Sequence, residues 1–116
     1  MFINESFLSY VWQFQYFTKN NLTDSTGELV SVISPGIKNQ DQGPDFSNAI
    51  IRIGEVTWHG NVEIHIRSSN WTEHEHQKDP RYDNVVLHVV WEDDVSIKRT
   101  DATPIPTVEL KDRIGN

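Results

Sequence analysis

The chain has 116 residues, a formal net charge of −7 and no cysteine. Disulfides, zinc–thiolate sites and thiol nucleophiles are therefore excluded within it, and the acidic balance counts against a protein that holds nucleic acid by phosphate neutralisation alone. Only 36% of residues are hydrophobic, so a modest core must lean on its 4 Trp, 5 Phe and 3 Tyr.

"NESFLSYVWQFQYF" opens the chain as a helix. Asn4 can cap it, Glu5 suits its first turn, and Phe7, Leu8, Val11, Trp12 and Phe14 form one apolar stripe. "TKNNLTDSTGE" ends the helix, and "ELVSVIS" reads as a short β-branched strand. "PGIKNQDQGPD" is a polar loop. "FSNAIIRIG" is the second strand, "GEVTW" a turn out of it, and "HGNVEIHIRSS" the third strand. In that strand Val62, Ile64 and Ile66 share one face, and Asn61, Glu63, His65 and Arg67 share the other.

"SSNWTEHEHQKDPRY" predicts a short helix capped by Ser69 or Asn70, running to about Lys78 and ended by Pro80. "NVVLHVVWE" has the continuous apolar character of a strand buried on both faces. "DD" makes a turn, "VSIKR" a further strand and "PIPTVELKD" another, with its prolines at an edge or an entry. The fold class expected is α+β: an N-terminal helix and a mixed or antiparallel sheet in α-β-β-β-α-β order, with extra C-terminal strands. Length fits one domain over 1–116. "VELKDRIGN" reads as the start of a new element, which points to an N-terminal piece of a longer protein. No apolar run approaches the roughly 18 residues that span a membrane. The N-terminus lacks the basic region and cleavage site of a signal peptide. A cytoplasmic location is expected.

Asp45, Glu63 and His65 are the first candidate site. If the second and third strands pair as an antiparallel hairpin, the start of one lies beside the end of the other, and all three side chains converge. Two close carboxylates either share a proton or hold a cation. Oxygen ligands favour magnesium or manganese, and Arg67 continues the same face toward an anionic substrate. The competing reading is an ordinary half-exposed sheet with one solvated face.

"HEHQKD" is the second candidate. On a helix His74 and His76 point apart, and the spacing is not that of a zinc hydrolase; in a loop, His74, His76 and Asp79 could hold zinc or nickel. His88, inside "VVLHVVW", reads as a hydrogen-bonded core histidine, and His59 is uninformative. No nucleophile elbow, phosphate-binding loop or dinucleotide fingerprint is present.

Two resemblances rest on these residues. The run "PGIKNQDQGPDFSNAIIRIG", continued by "WHGNVEIHIRSSNW", "YDNVVLHVVWE" and "IPTVELKDRI", resembles the N-terminal part of an uncharacterised bacterial family, a domain of unknown function. Pro44-Asp45 and Glu63-Ile64-His65, in that element order, resemble the core of the PD-(D/E)XK nuclease superfamily, a restriction-endonuclease-like fold. The second resemblance implies that Asp45 and Glu63 bind magnesium or manganese, with Glu5 as the only candidate for the helix acid that sometimes joins them. His65 stands where that pattern has a lysine. A neutral imidazole can act as a base or ligate a metal but supplies no fixed cation, so Lys78 or Arg67 is expected to meet the phosphate. The activity implied is a metal-dependent phosphodiesterase acting on nucleic acid, with Asp45, Glu63, His65 and Lys78 catalytic, or a degenerate member of that fold. The alternative is a non-catalytic β-rich interaction domain anchored by Trp71 and Trp91. A third, a small-molecule sandwich or barrel, needs an apolar pocket. Separation of the Asp45 and Glu63 carboxyl groups by more than about 8 Å would rule out a shared metal.

Overall fold

The computed structural model describes residues 3–115. Helix α1 spans Glu5–Phe14, with the Asn4 side chain accepting the Phe7 N–H at 2.8 Å. Strands β1 (Val30–Ser34), β2 (Ile37–Lys38), β3 (Phe46–Ile53) and β4 (Val56–Arg67) follow. A one-turn helix α2 (Asn70–Glu73) and two 3-10 turns (His76–Lys78 and Pro80–Tyr82) then lead into β5 (Val85–Glu92) and β6 (Thr107–Glu109). The strands form one sheet in the order β1-β3-β4-β5-β6, with β2 also paired to β3. Pairing is antiparallel from β1 through β4 and parallel from β4 to β6. The α+β class with a mixed sheet is therefore as the sequence predicts.

Three local expectations are corrected. "GEVTW" is not a turn: Val56, Thr57 and Trp58 already face Ile53, Arg52 and Ile51 across the hairpin. The reversal is confined to Gly54 and Glu55, where Gly54 takes φ 59° at no steric cost. "VSIKR" forms no strand, only a single bridge from Lys98 to Pro104. The helix expected up to Lys78 stops at Glu73, because the next residues turn to serve the sheet below.

The central strand β4 explains where the site lies. On one face Val62 and Ile64 pack with Leu8, Val11 and Trp12 of α1. Trp71, Tyr82, Val85, Ile97 and Ile105 form a second apolar cluster on the other side. Each large apolar side chain so buried contributes about 1.5–3 kcal/mol. With both faces covered, the polar residues of β4 are taken out of water, and the solvated-face reading of Glu63 and His65 is overturned: they are 5% and 1% exposed.

A polar clasp closes the far end of β4. Ser68 is fully buried, and its Oγ donates to Asp94 Oδ1 at 2.9 Å while accepting the N–H groups of Asp94 and Val95. Asp94 in turn accepts the Ser69 N–H and hydroxyl. Ser68→Ala leaves two backbone donors without this acceptor and is expected to cost about 1–3 kcal/mol. An unchanged urea midpoint in that variant would show that the clasp is dispensable.

Candidate metal centre

Strand pairing builds the acid pair. Ala49 faces Gly60, and regular pairing from there would set Phe46 against Glu63. A bulge, with Asn48 at φ 59°, sets Phe46 against Val62 instead. Asp45 is thereby brought to Glu63. Its N–H donates to Glu63 Oε1 at 3.1 Å, and its Oδ2 accepts the Ile64 N–H at 2.8 Å. The convergence expected of Asp45 and Glu63 is thus present, with the carboxyl groups close enough to share a proton. Burial first, and the Asp45 charge second, push the Glu63 carboxyl up to about 10. Glu5, at the start of α1, is also raised, by burial and then by Asp45, with His74 acting the other way. It therefore belongs to the same neighbourhood.

The opposite oxygen of Glu63 faces imidazoles. Glu63 Oε2 lies 3.0 Å from His76 Nε2 and 3.4 Å from His65 Nε2. His65 Nε2 is 3.2 Å from His74 Nδ1. The far side of His65 is held by His88, Nδ1 to Nε2, at 2.7 Å. Four of the 5 histidines, all but His59, thus meet in one cluster.

The chain between the helix and Pro80 makes this possible. His74 caps α2, and Glu75 adopts a left-handed conformation at φ 56°, which turns both neighbouring rings toward His65. A non-glycine residue pays about 1–2 kcal/mol for that conformation. His76 is stacked on Tyr82 at 3.7 Å and flanked by the edge of Trp71 at 5.3 Å. Burial, reinforced by the neighbouring rings, pulls His65 down to about 2 and His76 to about 4; burial then His76 pull His88 to about 3. These imidazoles are neutral at pH 7, with lone pairs to offer.

Other expectations fare differently. Lys78 is 71% exposed on its side chain and pairs with Glu75 at 3.3 Å, outside the cluster, because the turn that brings His76 inward carries Lys78 outward. Asp79 does not join His74 and His76 either: it caps the next turn and binds Arg81 at 2.6 Å. Arg67 lies at the exposed end of β4, opposite Glu92. Trp71 is 1% exposed and forms a wall of the histidine cluster, so it cannot anchor a partner; Trp91 packs against the main core.

Sequence reasoning missed Lys38. It lies on the two-residue strand β2, inside what reads as a polar loop, and its Nζ donates to Ser9 Oγ at 2.7 Å. A groove of about 150 Å³ is lined by Glu5, Ser6, Ser9, Lys38 and Asp45. Among the described residues Lys38 has no carboxylate within ion-pair distance.

A family model described as a protein of unknown function, DUF2851, matches residues 5–116. The chain belongs to this family. The DUF2851 segment contains every residue of the cluster, from Glu5 to His88. No curated protein and no solved structure matches the chain. Among the described residues no helix is long and apolar enough to cross a membrane.

Proposed function

We propose that the chain is a metal-dependent phosphodiesterase whose ion is held by Glu63, His65, His74 and His76. The observation that carries this reading is the spacing of the ligand atoms. Tetrahedral ligands at roughly 2.0–2.1 Å from zinc stand about 3.3 Å from one another, and three of the separations here, Glu63 to His76, His65 to His74 and Glu63 to His65, are 3.0, 3.2 and 3.4 Å. His65, His74 and His76 offer nitrogens that all lie within 4.8 Å of one another. Three imidazoles suit zinc better than magnesium or manganese, which prefer oxygen donors and water. Such an ion would supply Lewis acidity toward a phosphoryl oxygen and a water acidified toward neutral pH.

The chain's own groups have separate tasks in this reading. Asp45, fixed through Oδ2 by the Ile64 N–H, orients the attacking water with its other oxygen. Glu5 takes up or returns a proton at the mouth of the groove. Lys38, not Lys78, meets the anionic phosphate from the Ser9 side. The element order supports a PD-(D/E)XK-type core: a helix, antiparallel strands β1, β3 and β4, and a parallel step to β5. Nucleic acid is the substrate class that this core suggests.

Hydrolysis of an activated phosphodiester and of short DNA and RNA strands, with zinc or manganese added, tests the proposal. Asp45→Ala is expected to lower the rate by on the order of 10²–10⁴, and Lys38→Ala to act mainly on KM. Turnover no faster than the metal blank with every substrate would sink it. A second reading, an interaction domain, draws support from Tyr10, Phe14 and Tyr16, half-exposed and in mutual ring contact. It predicts a partner lost on Tyr10→Ser with zinc binding intact.

A further inference from the structure

His88 touches none of the atoms that face the proposed ion, yet it decides what His65 can offer that ion. The two rings are 0% and 1% exposed and meet at 2.7 Å, His65 Nδ1 to His88 Nε2. One proton lies in that contact, and there are two ways to place it. If His88 donates, His65 carries its own proton on Nε2 and presents an N–H to Glu63 and His74; no cation can bind there. If His65 donates from Nδ1, its Nε2 holds a bare lone pair directed at the cluster.

We infer that His88 is a positioning residue: its Nε2 accepts the His65 Nδ1 proton and so fixes His65 in the tautomer that ligates a metal. The inference rests on the metal reading above and adds to it a residue with no contact to the ion. Its placement follows from the sheet. In the parallel pairing of β4 with β5, His88 lies opposite Glu63, two residues before His65. The His88 backbone N–H is held by the Pro106 carbonyl at 2.9 Å, and its ring lies 5.2 Å from that of Trp71.

A second observation sets His88 apart from an ordinary core residue. Its Nδ1 is buried without a hydrogen-bond partner among the described residues. An unpaired buried polar group is destabilising, and the neighbours Val86, Leu87, Val89 and Val90 are all apolar and buried. A residue chosen for packing alone would be leucine or valine here. The histidine is retained at a cost in stability, and the contact to His65 is what that cost secures.

The test compares His88→Leu and His88→Gln with the wild-type chain, using zinc titration and the visible spectrum of the cobalt(II)-loaded protein. Leucine removes the acceptor; the glutamine amide oxygen restores it. His88→Leu exchanges one orphaned buried nitrogen, His88 Nδ1, for another, His65 Nδ1, and is expected to be about as stable without metal, yet to bind zinc about 10–100-fold more weakly and to shift the cobalt bands, as loss of a ligand's hydrogen-bond partner does. His88→Gln is expected to recover most of that loss. Nitrogen NMR of the zinc-loaded wild type should find His65 protonated at Nδ1 and coordinated through Nε2; this measurement decides the matter if His88→Leu does not fold. Equal zinc affinity and an unchanged cobalt spectrum in His88→Leu, or a bare His65 Nδ1 in the NMR, overturns the role of His88 alone. A wild-type chain that binds neither zinc nor cobalt removes the metal reading and this inference together.

Discussion

Replacing His65 with alanine is expected to weaken zinc binding by more than the 10–100-fold that follows loss of a group merely supporting a ligand. His65 is the hub of the cluster. Its Nε2 lies between Glu63 Oε2 and His74 Nδ1, and its other nitrogen is tied to His88. No neighbouring side chain can take over, since His59 lies on the exposed stretch of β4 and Asp79 is bound to Arg81. Thermal unfolding gives the readout. At zinc a thousandfold above the dissociation constant, the wild-type chain should gain about 4 kcal/mol. The His65→Ala variant should gain less than about 1.4 kcal/mol at the same concentration, whereas Asp79→Ala should behave as wild type. Equal zinc-induced shifts in wild type and His65→Ala would remove His65 from the ligand set.

Without metal, stability is expected to peak near pH 6.5 and to fall on both sides, more steeply toward acid. The sign follows from where protons bind. His65, His76 and His88 have folded values of about 2, 4 and 3, all below the ordinary 6.5. Below pH 6.5 the unfolded chain therefore takes up protons that the folded chain refuses, and stability drops as pH falls. Glu63 acts in the opposite sense. Its value is raised to about 10 from an ordinary 4.5, so its contribution is full at low pH and is lost as pH rises through that window. Each proton of difference is worth about 1.4 kcal/mol per pH unit. The three imidazoles outweigh Glu63 on the acid side, and Glu63 acts alone on the alkaline side. Denaturant unfolding at pH 5, 6.5 and 8.5, with chelator present, measures both limbs. Glu63→Gln should flatten the alkaline limb and steepen the acid one, because Glu63 no longer offsets the imidazoles there; a profile flat from pH 6.5 to 8.5 in the wild type would show that Glu63 stays ionised when folded.

The element order was legible because apolar periodicity dominates it. The α1 stripe, the alternation of Val62, Ile64 and Ile66, and the unbroken apolar run of β5 each name their element without help. The pairing of Asp45 with Glu63 was also reachable, since a hairpin allows little else. Burial of the Glu63 and His65 face was not. Alternation marks that face as polar, and only tertiary packing reveals that Trp71 and Tyr82 cover it. The meeting of His74 and His76 was hidden by local preference: nothing in "TEHEHQ" announces a left-handed glutamate, so helical geometry sends the two rings apart. The available signal was composition, three histidines within twelve residues in a chain with 5 in all. Lys38 was out of reach because its relevance depends on α1 crossing above a two-residue strand.

The bulge at Asn48 has a consequence for variation in this protein. The acid pair depends on the kink and not on the residue count. Straighten the strand at full length, and regular pairing from Ala49–Gly60 carries Asp45 past Glu63 to Ile64, with its carboxyl turned to the other face. Delete one residue of the bulge, and the ladder runs evenly from Ala49–Gly60 to Phe46–Val62, so Asp45 still meets Glu63. One residue inserted in the facing stretch of β4 gives the same alignment. Length changes of one residue here therefore spare the site, whereas a residue at 48 that resists the left-handed backbone displaces it.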